Sequence, residues 1–410
     1  MPYVGISVLP SDVQPIALAL SICSLILFSG KIRFDLISVL LLAILAMAIT
    51  SFVMSIYDIG GNMMFDARAL FGYLTAPIVY LYFRNYLFSE GPTAVARFVD
   101  IAVIVTFFGF LLNIIGLTSV IQIFVNRAIF DDSTVGARGL TSFFSEQSRI
   151  PTQALFFAFF YMIAGCLNWP RAISLLSMSA LSASGQFFIN IVVFISSMGA
   201  AVFYNSIRNG QFRGIHLAYT MAGFLFLTGI YLTARDHYLY LIEIGLPRRG
   251  IEAFHEIAVF NIGSLSDDLG FLYKVSGPLQ GISAIWFEPF KIRIGTAYYF
   301  EFERDLFAIY VNLIYHIFES TLVPLPPRSY SIFGAWWSDF RIYGMFATLV
   351  FVVALGKRSL AAKTSVLVGI YAVLIFLFLF RSNTSDPTPW AAVAALTYAG
   401  RRWLHKDEEA

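Results

Sequence analysis

Residues 34–56 read FDLISVLLLAILAMAITSFVMSI, and after Asp35 no ionisable side chain occurs in the run. About 20 consecutive apolar residues, wound into a helix, match the hydrocarbon thickness of a bilayer, so this stretch reads as a membrane span. The same pattern recurs in both directions along the 410 residues. Spans are expected at 14–29, 34–56, 69–88, 98–117, 151–168, 171–184, 186–206, 215–233, 333–355, 364–380 and 388–400, about eleven helices within a range of ten to twelve. The expected fold class is therefore an all-α integral membrane protein. Only 13% of the residues are charged, about half the share in soluble domains, which excludes a water-soluble enzyme, a disordered chain and a disulfide scaffold.

The two cysteines, Cys23 and Cys166, fall inside apolar runs and form neither a disulfide framework nor a thiolate metal site. With 27 basic and 25 acidic residues the chain lacks the one-sided charge that a nucleic-acid partner requires. No cleavable leader is expected, because the N-terminal residues lack a basic region, and the first apolar run reads as a retained span.

Basic residues orient the spans. Lys31 and Arg33, Arg84 and Arg97, Arg171, Arg208 and Arg213, Lys357, Arg358 and Lys363, and Arg401, Arg402 and Lys406 all fall in segments on one side if the C-terminal tail is cytoplasmic. The intervening short segments carry at most one base each, as positive-inside bias requires, and the N-terminus is then outside. The chain divides into N-terminal helices (1–117), an external loop (118–150), central helices (151–233), a large external loop (234–332) and C-terminal helices with a cytoplasmic tail (333–410). Connections as long as these two loops usually carry function. No internal repeat and no paired broken spans are present, which counts against a transporter built from inverted repeats.

Two segments concentrate chemistry. The first runs from Ala137 to Arg149 (ARGLTSFFSEQSR), where Arg138, Arg149 and Glu146 meet the membrane surface. A guanidinium fork stays charged and fits phosphate bidentately, while a carboxylate at the membrane edge is placed to take a proton from a hydroxyl; a helix-capping Arg–Glu pair is the structural alternative. The second runs from Pro326 to Gly344 (PPRSYSIFGAWWSDFRIYG), where Asp339 and Arg341 enter the membrane together. Charges at that depth must pair or face a cavity, so both are functional candidates, with a structural pair as the alternative. The neighbouring Trp336 and Trp337 fit an interfacial aromatic belt, with sugar stacking as the alternative.

These two segments, on either side of a long external loop, resemble the Wzy-type polymerases of bacterial O-antigen and exopolysaccharide repeat units. The resemblance lies in Arg-Gly-Leu-Thr-Ser-Phe-Phe-Ser-Glu-Gln-Ser (138–148) before a span and in Ser-Ile-Phe-Gly-x4-Asp-Phe-x3-Gly (331–344) after the loop. The chain departs from the family pattern at Gln147, where Pro is frequent, at Arg341, where Gly is frequent, and at 182–186, which lacks an arginine.

The resemblance implies a polymerase/ligase architecture of the GT-C-like kind. It implies a glycosyltransferase that joins repeat units carried on undecaprenyl diphosphate at the periplasmic face of the bacterial inner membrane, in some systems beside a chain-length regulator. Expected diphosphate contacts come from Arg138, Arg149, Arg235, Arg248, Arg249, Arg328 and Arg341, and the expected catalytic groups are Glu146, His255 and Asp339. A diphosphate leaving group gathers negative charge that fixed arginines can stabilise. The five histidines are scattered without ligand spacing, so neither a metal nor another cofactor is expected. An O-antigen ligase using the same donor, or a lipid-linked oligosaccharide flippase or transporter, is the alternative reading.

Overall fold

The computed structural model describes residues 15–27, 32, 34–57, 63–117, 119–121, 140, 142–144, 149–182, 186–208, 210, 229, 278, 281–282, 284–286, 288–295, 331–361, 364–380, 382 and 384–409. Most of them are helical, with no strand among them. The helices are α1 (Pro15–Leu27), α2 (Leu36–Ile56), α3 (Met63–Glu90), α4 (Pro92–Ile114), α5 (Arg149–Ile163), α6 (Trp169–Leu181), α7 (Gln186–Arg208), α8 (Ile332–Ala361), α9 (Ser365–Phe380) and α10 (Pro387–Glu409). Each falls on an expected span, while the span expected at 215–233 lies, but for Gly229, outside the described residues. Among the described residues four helices are long and apolar enough to cross a membrane: Leu36–Ile56, Pro92–Ile114, Asn190–Arg208 and Ile332–Leu360. Large apolar side chains lie exposed along their outer faces, among them Val39, Val53, Ile101, Ile104, Phe108, Phe346 and Leu349. Such faces are stable only against lipid or further protein.

Helix boundaries follow local chemistry. Asp35 caps α2: its carboxylate accepts from the Ser38 backbone N–H at 2.9 Å, and the Asp35 N–H donates back to the Ser38 hydroxyl at 2.6 Å. This reciprocal pair satisfies two backbone donors that would otherwise be orphaned in an apolar setting. Gly91 turns the chain between α3 and α4 at φ 78°, a conformation in which a glycine carries no side-chain penalty. Asn168 caps α6 with its side chain on the Arg171 N–H, 3.1 Å away.

Contacts at opposite ends of the bundle give the helix directions. At one end Asp35 meets the C-terminal part of α3 through the Tyr80 hydroxyl (2.9 Å) and Arg84 (3.7 Å), and the C-terminal part of α8 through Arg358 (2.6 Å). Asp100 of α4 joins the α5–α6 turn at that end, accepting from the Tyr161 hydroxyl at 2.6 Å and bidentately from Arg171 at 2.9 and 2.6 Å. Phe83 of α3 stacks on Phe160 near the end of α5. The first residues of α3 and α5, the last of α4 and the α9–α10 turn therefore gather at the other end.

Helix α8 does not run straight. In a continuous helix the Trp337 and Thr348 backbones would stand about 16 Å apart and those of Phe333 and Phe351 about 27 Å. Instead the Trp337 indole N–H donates to the Thr348 hydroxyl at 2.9 Å, and the Phe333 and Phe351 ring centroids are 5.9 Å apart. The chain reverses at Arg341, the non-helical residue inside α8 (φ 54°, ψ −125°). Residues 332–340 thus form a short arm folded back on the long arm, 342–361. Ser331 caps the short arm, its hydroxyl accepting from the Gly334 N–H at 2.9 Å. Gly344 is required where the arms cross, since a Cβ there would overlap the Trp336 carbonyl.

The reversal corrects the reading of 333–355 as one simple span and of Trp336 and Trp337 as an interfacial belt. Trp336 is 1% exposed and stacks against Trp390 at 6.3 Å, within a cluster that includes Phe333, Phe351 and Phe378. Aromatic pairs of this geometry contribute about 0.5–1.5 kcal/mol each beyond the area they bury. Trp337 is half-buried and spends its indole donor on Thr348. The physical reason is the hairpin: it turns the tryptophan-bearing face inward, where a linear span would leave it toward lipid.

Candidate functional site

The α8 reversal carries the polar residues of the second sequence motif. Asp339 is 4% exposed, and its Oδ2 accepts from the Tyr73 hydroxyl of α3 at 2.6 Å. The Tyr73 ring packs edge-on against Phe340 at 5.0 Å, which fixes the phenol over the carboxylate. Arg341, 1% exposed, occupies the turn, and its Nη2 lies 3.4 Å from Glu288 Oε2. Glu288 also takes both carboxylate oxygens to Lys291 Nζ at 2.9 Å.

Described residues of 281–295 strap this turn from outside. The Arg293 N–H donates to the Asp339 carbonyl at 2.8 Å and the Ile342 N–H to the Pro289 carbonyl at 3.1 Å, so the backbone is held on both flanks of Arg341. One residue further, the Ile294 N–H donates to the Ser51 hydroxyl of α2 at 2.9 Å. At Gly281 the strap passes so close that a Cβ would stand 2.6 Å from the Trp337 Cβ. This over-determination is what permits Arg341 its dihedrals, which resemble the first central position of a type II′ turn, normally a glycine. A non-glycine residue held there costs about 1–3 kcal/mol. The site keeps a guanidinium where backbone preference favours glycine.

Charge sets the state of Glu288. Burial raises its carboxyl, but the Lys291 ammonium at hydrogen-bond distance and the Arg341 guanidinium outweigh that and hold it below the ordinary glutamate value. It stays ionised as the counter-charge that orients Arg341.

The described residues of the first motif gather at the same end of the bundle. Its Ser142 donates its N–H to the Asn113 side chain and its hydroxyl to the Thr106 carbonyl, both at 2.7 Å, near the end of α4. Phe143 and Phe144 are buried, and the Leu140 N–H reaches the Leu181 carbonyl at the end of α6. Arg149 opens α5 and is half-buried. Of the expected site residues, Asp339, Arg341 and Arg149 are thereby located. Glu146, His255, Arg138, Arg235, Arg248, Arg249 and Arg328 lie outside the described residues.

Three further residues went unread in the sequence. Tyr73 touches Asp339, Glu288 touches Arg341, and Asp66 lies on the same face of α3 as Tyr73, two helical turns away. Asp66, Tyr73 and Tyr80 recur every seven residues, and both tyrosines bond a carboxylate on another helix. That seven-residue spacing of polar groups on one face of the helix was a legible signal. Glu288 had none, because its role depends on a strap 53 residues from its partner.

Chemically the arrangement offers a buried, fixed guanidinium, a buried carboxylate held by a phenol and a second, partly exposed carboxylate that orients the guanidinium. Such a set can stabilise a developing oxyanion and hold a polyhydroxylated ligand. No protein-family model, curated protein or solved structure matches the chain.

Proposed function

We propose that this protein is a membrane glycosyltransferase that polymerises oligosaccharide repeat units carried on undecaprenyl diphosphate, at the periplasmic face of the bacterial inner membrane. The observation that carries the reading is Arg341, a buried guanidinium kept in a glycine-like turn beside Asp339, at the bundle end opposite the Arg84–Arg358 network. With the basic short connections cytoplasmic, the α8 turn faces the periplasm. About eleven spans in a GT-C-like arrangement complete the proposal.

In this account Arg341 meets the diphosphate of the donor, and its charge offsets the negative charge that collects on the leaving oxygen as the glycosidic bond breaks. Glu288 holds the guanidinium in place. Asp339, fixed by Tyr73, positions the sugar at the turn. The scattered histidines are consistent with a reaction that runs without a metal. Purified protein in proteoliposomes, supplied with a lipid-diphosphate-linked repeat unit, tests the proposal. Products longer than one unit, in EDTA as well as without it, are the expected result, and a donor returned unchanged would overturn it.

A further inference from the structure

Asp66 is the buried acid that the account so far leaves unused. It lies in the first turn of α3 and is 1% exposed, and among the described residues neither carboxylate oxygen has a hydrogen-bond partner. A buried carboxylate without a donor is among the costliest groups a fold can carry, and most are paired. An apolar residue such as Leu at this position would remove the penalty, and Asn would remove its charge.

Its placement is specific. Seven residues separate Asp66 from Tyr73, a turn of 700°, so both face the same way about 10 Å apart along α3. Asp66 therefore lies two turns nearer the start of α3 than Tyr73, on the face of the helix that carries the Tyr73–Asp339 bond. Asp339 already spends an oxygen on Tyr73 at 2.6 Å, whereas both oxygens of Asp66 are uncommitted.

We propose that Asp66 is the proton acceptor for the incoming sugar hydroxyl, the role that the sequence had offered to Glu146, His255 or Asp339. This rests on the polymerase reading above. In the step, the acceptor hydroxyl oxygen forms a bond to the anomeric carbon of the donor, and the bond from that carbon to the diphosphate oxygen breaks. The bonding pair leaves with the diphosphate, and the hydroxyl proton passes to the Asp66 carboxylate. The arriving hydroxyl also gives that carboxylate its missing donor, so binding recovers a cost carried by the empty site.

Two readouts on Asp66→Asn and Asp66→Glu in the full-length protein, purified in detergent and reconstituted, test this. Thermal unfolding comes first because it needs no activity: Asp66→Asn should melt at or above wild type, since it removes an unpaired buried charge. Its polymerisation rate should fall by about 100-fold or more with the KM for the lipid-linked donor little changed. Asp66→Glu should recover part of kcat. A lowered melting temperature for Asp66→Asn would make the side chain structural and overturn the assignment, as would wild-type kcat in that variant. If wild type itself elongates nothing, the polymerase reading fails instead, and the melting comparison still decides whether Asp66 is held at a cost.

Discussion

The Tyr73 hydroxyl and the Asp339 carboxylate, 266 residues apart in the chain, are joined by a hydrogen bond of 2.6 Å between buried side chains. It fastens the first half of the protein to the α8 turn. A hydrogen bond to a charged group contributes about 1.5–3 kcal/mol, which removing one partner forfeits. Tyr73→Phe should therefore lower stability by roughly that amount and reduce polymerisation, whereas a second change, Asp339→Asn, should add less than its effect in the wild-type background. Thermal melts of the two single variants and the double variant measure the coupling. Strict additivity would dissociate the pair.

The glycine-like turn predicts an order among substitutions at one position. Arg341→Gly and Arg341→Ala both remove the guanidinium, so both should lose activity. They differ in backbone cost, since alanine at φ 54° is strained and glycine is not. Arg341→Gly should melt above Arg341→Ala by the equivalent of about 1 kcal/mol. The reverse order would mean that the turn is not held as described.

At the opposite end, Asp35 answers Arg84, Arg358 and Tyr80 at once, and Arg84 is among the largest fully buried side chains. Truncating the shared acid removes the carboxylate that ties Arg84 and Arg358 together, and breaking a buried ion pair costs about 3–5 kcal/mol. Asp35→Ala should sharply reduce the fraction of protein recovered as a monodisperse peak after extraction, and melting of what remains should drop. Recovery and melting equal to wild type would show the network to be dispensable.

Glu288 supplies a pH test. Its folded-state carboxyl is held below the ordinary value, so its contribution is complete above about pH 4.3 and fades as pH falls through the lower folded value. Wild type should exceed Glu288→Gln in melting temperature at neutral pH by a small margin, because the group is 36% exposed. That margin should close as melts are taken toward pH 3. A gap that widens in acid would reverse the sign of the argument.

The helices were legible because hydrophobic runs such as 36–56 announce themselves whatever surrounds them. Asp339 and Arg341 were legible for a related reason: charge inside an apolar run is rare. The hairpin was not. Its reversal rests on the strap bonds from Arg293 and Pro289 and on Gly344 lying against the Trp336 carbonyl, contacts between segments distant in sequence or hidden in a pattern that also suits a straight helix. Trp336 was misplaced for that reason, since a tryptophan eight positions from the crossing glycine reads as part of an interfacial belt until the chain is known to double back. Tyr73 and Asp66 were missed because a single tyrosine or aspartate near a span end is ordinary, and only their seven-residue spacing on one face sets them apart.

The central claim is that the α8 turn is where lipid-linked units are joined. A polymer-ladder gel of the host strain lacking this gene, complemented with wild type, Arg341→Ala, Asp339→Asn and Tyr73→Phe at matched membrane levels, tests it most directly. Wild type should restore the ladder. Arg341→Ala and Asp339→Asn should leave a single repeat unit displayed without long chains, and Tyr73→Phe should give a shortened ladder. Full ladders from Arg341→Ala and Asp339→Asn, or a normal ladder in the strain without the gene, would contradict the account.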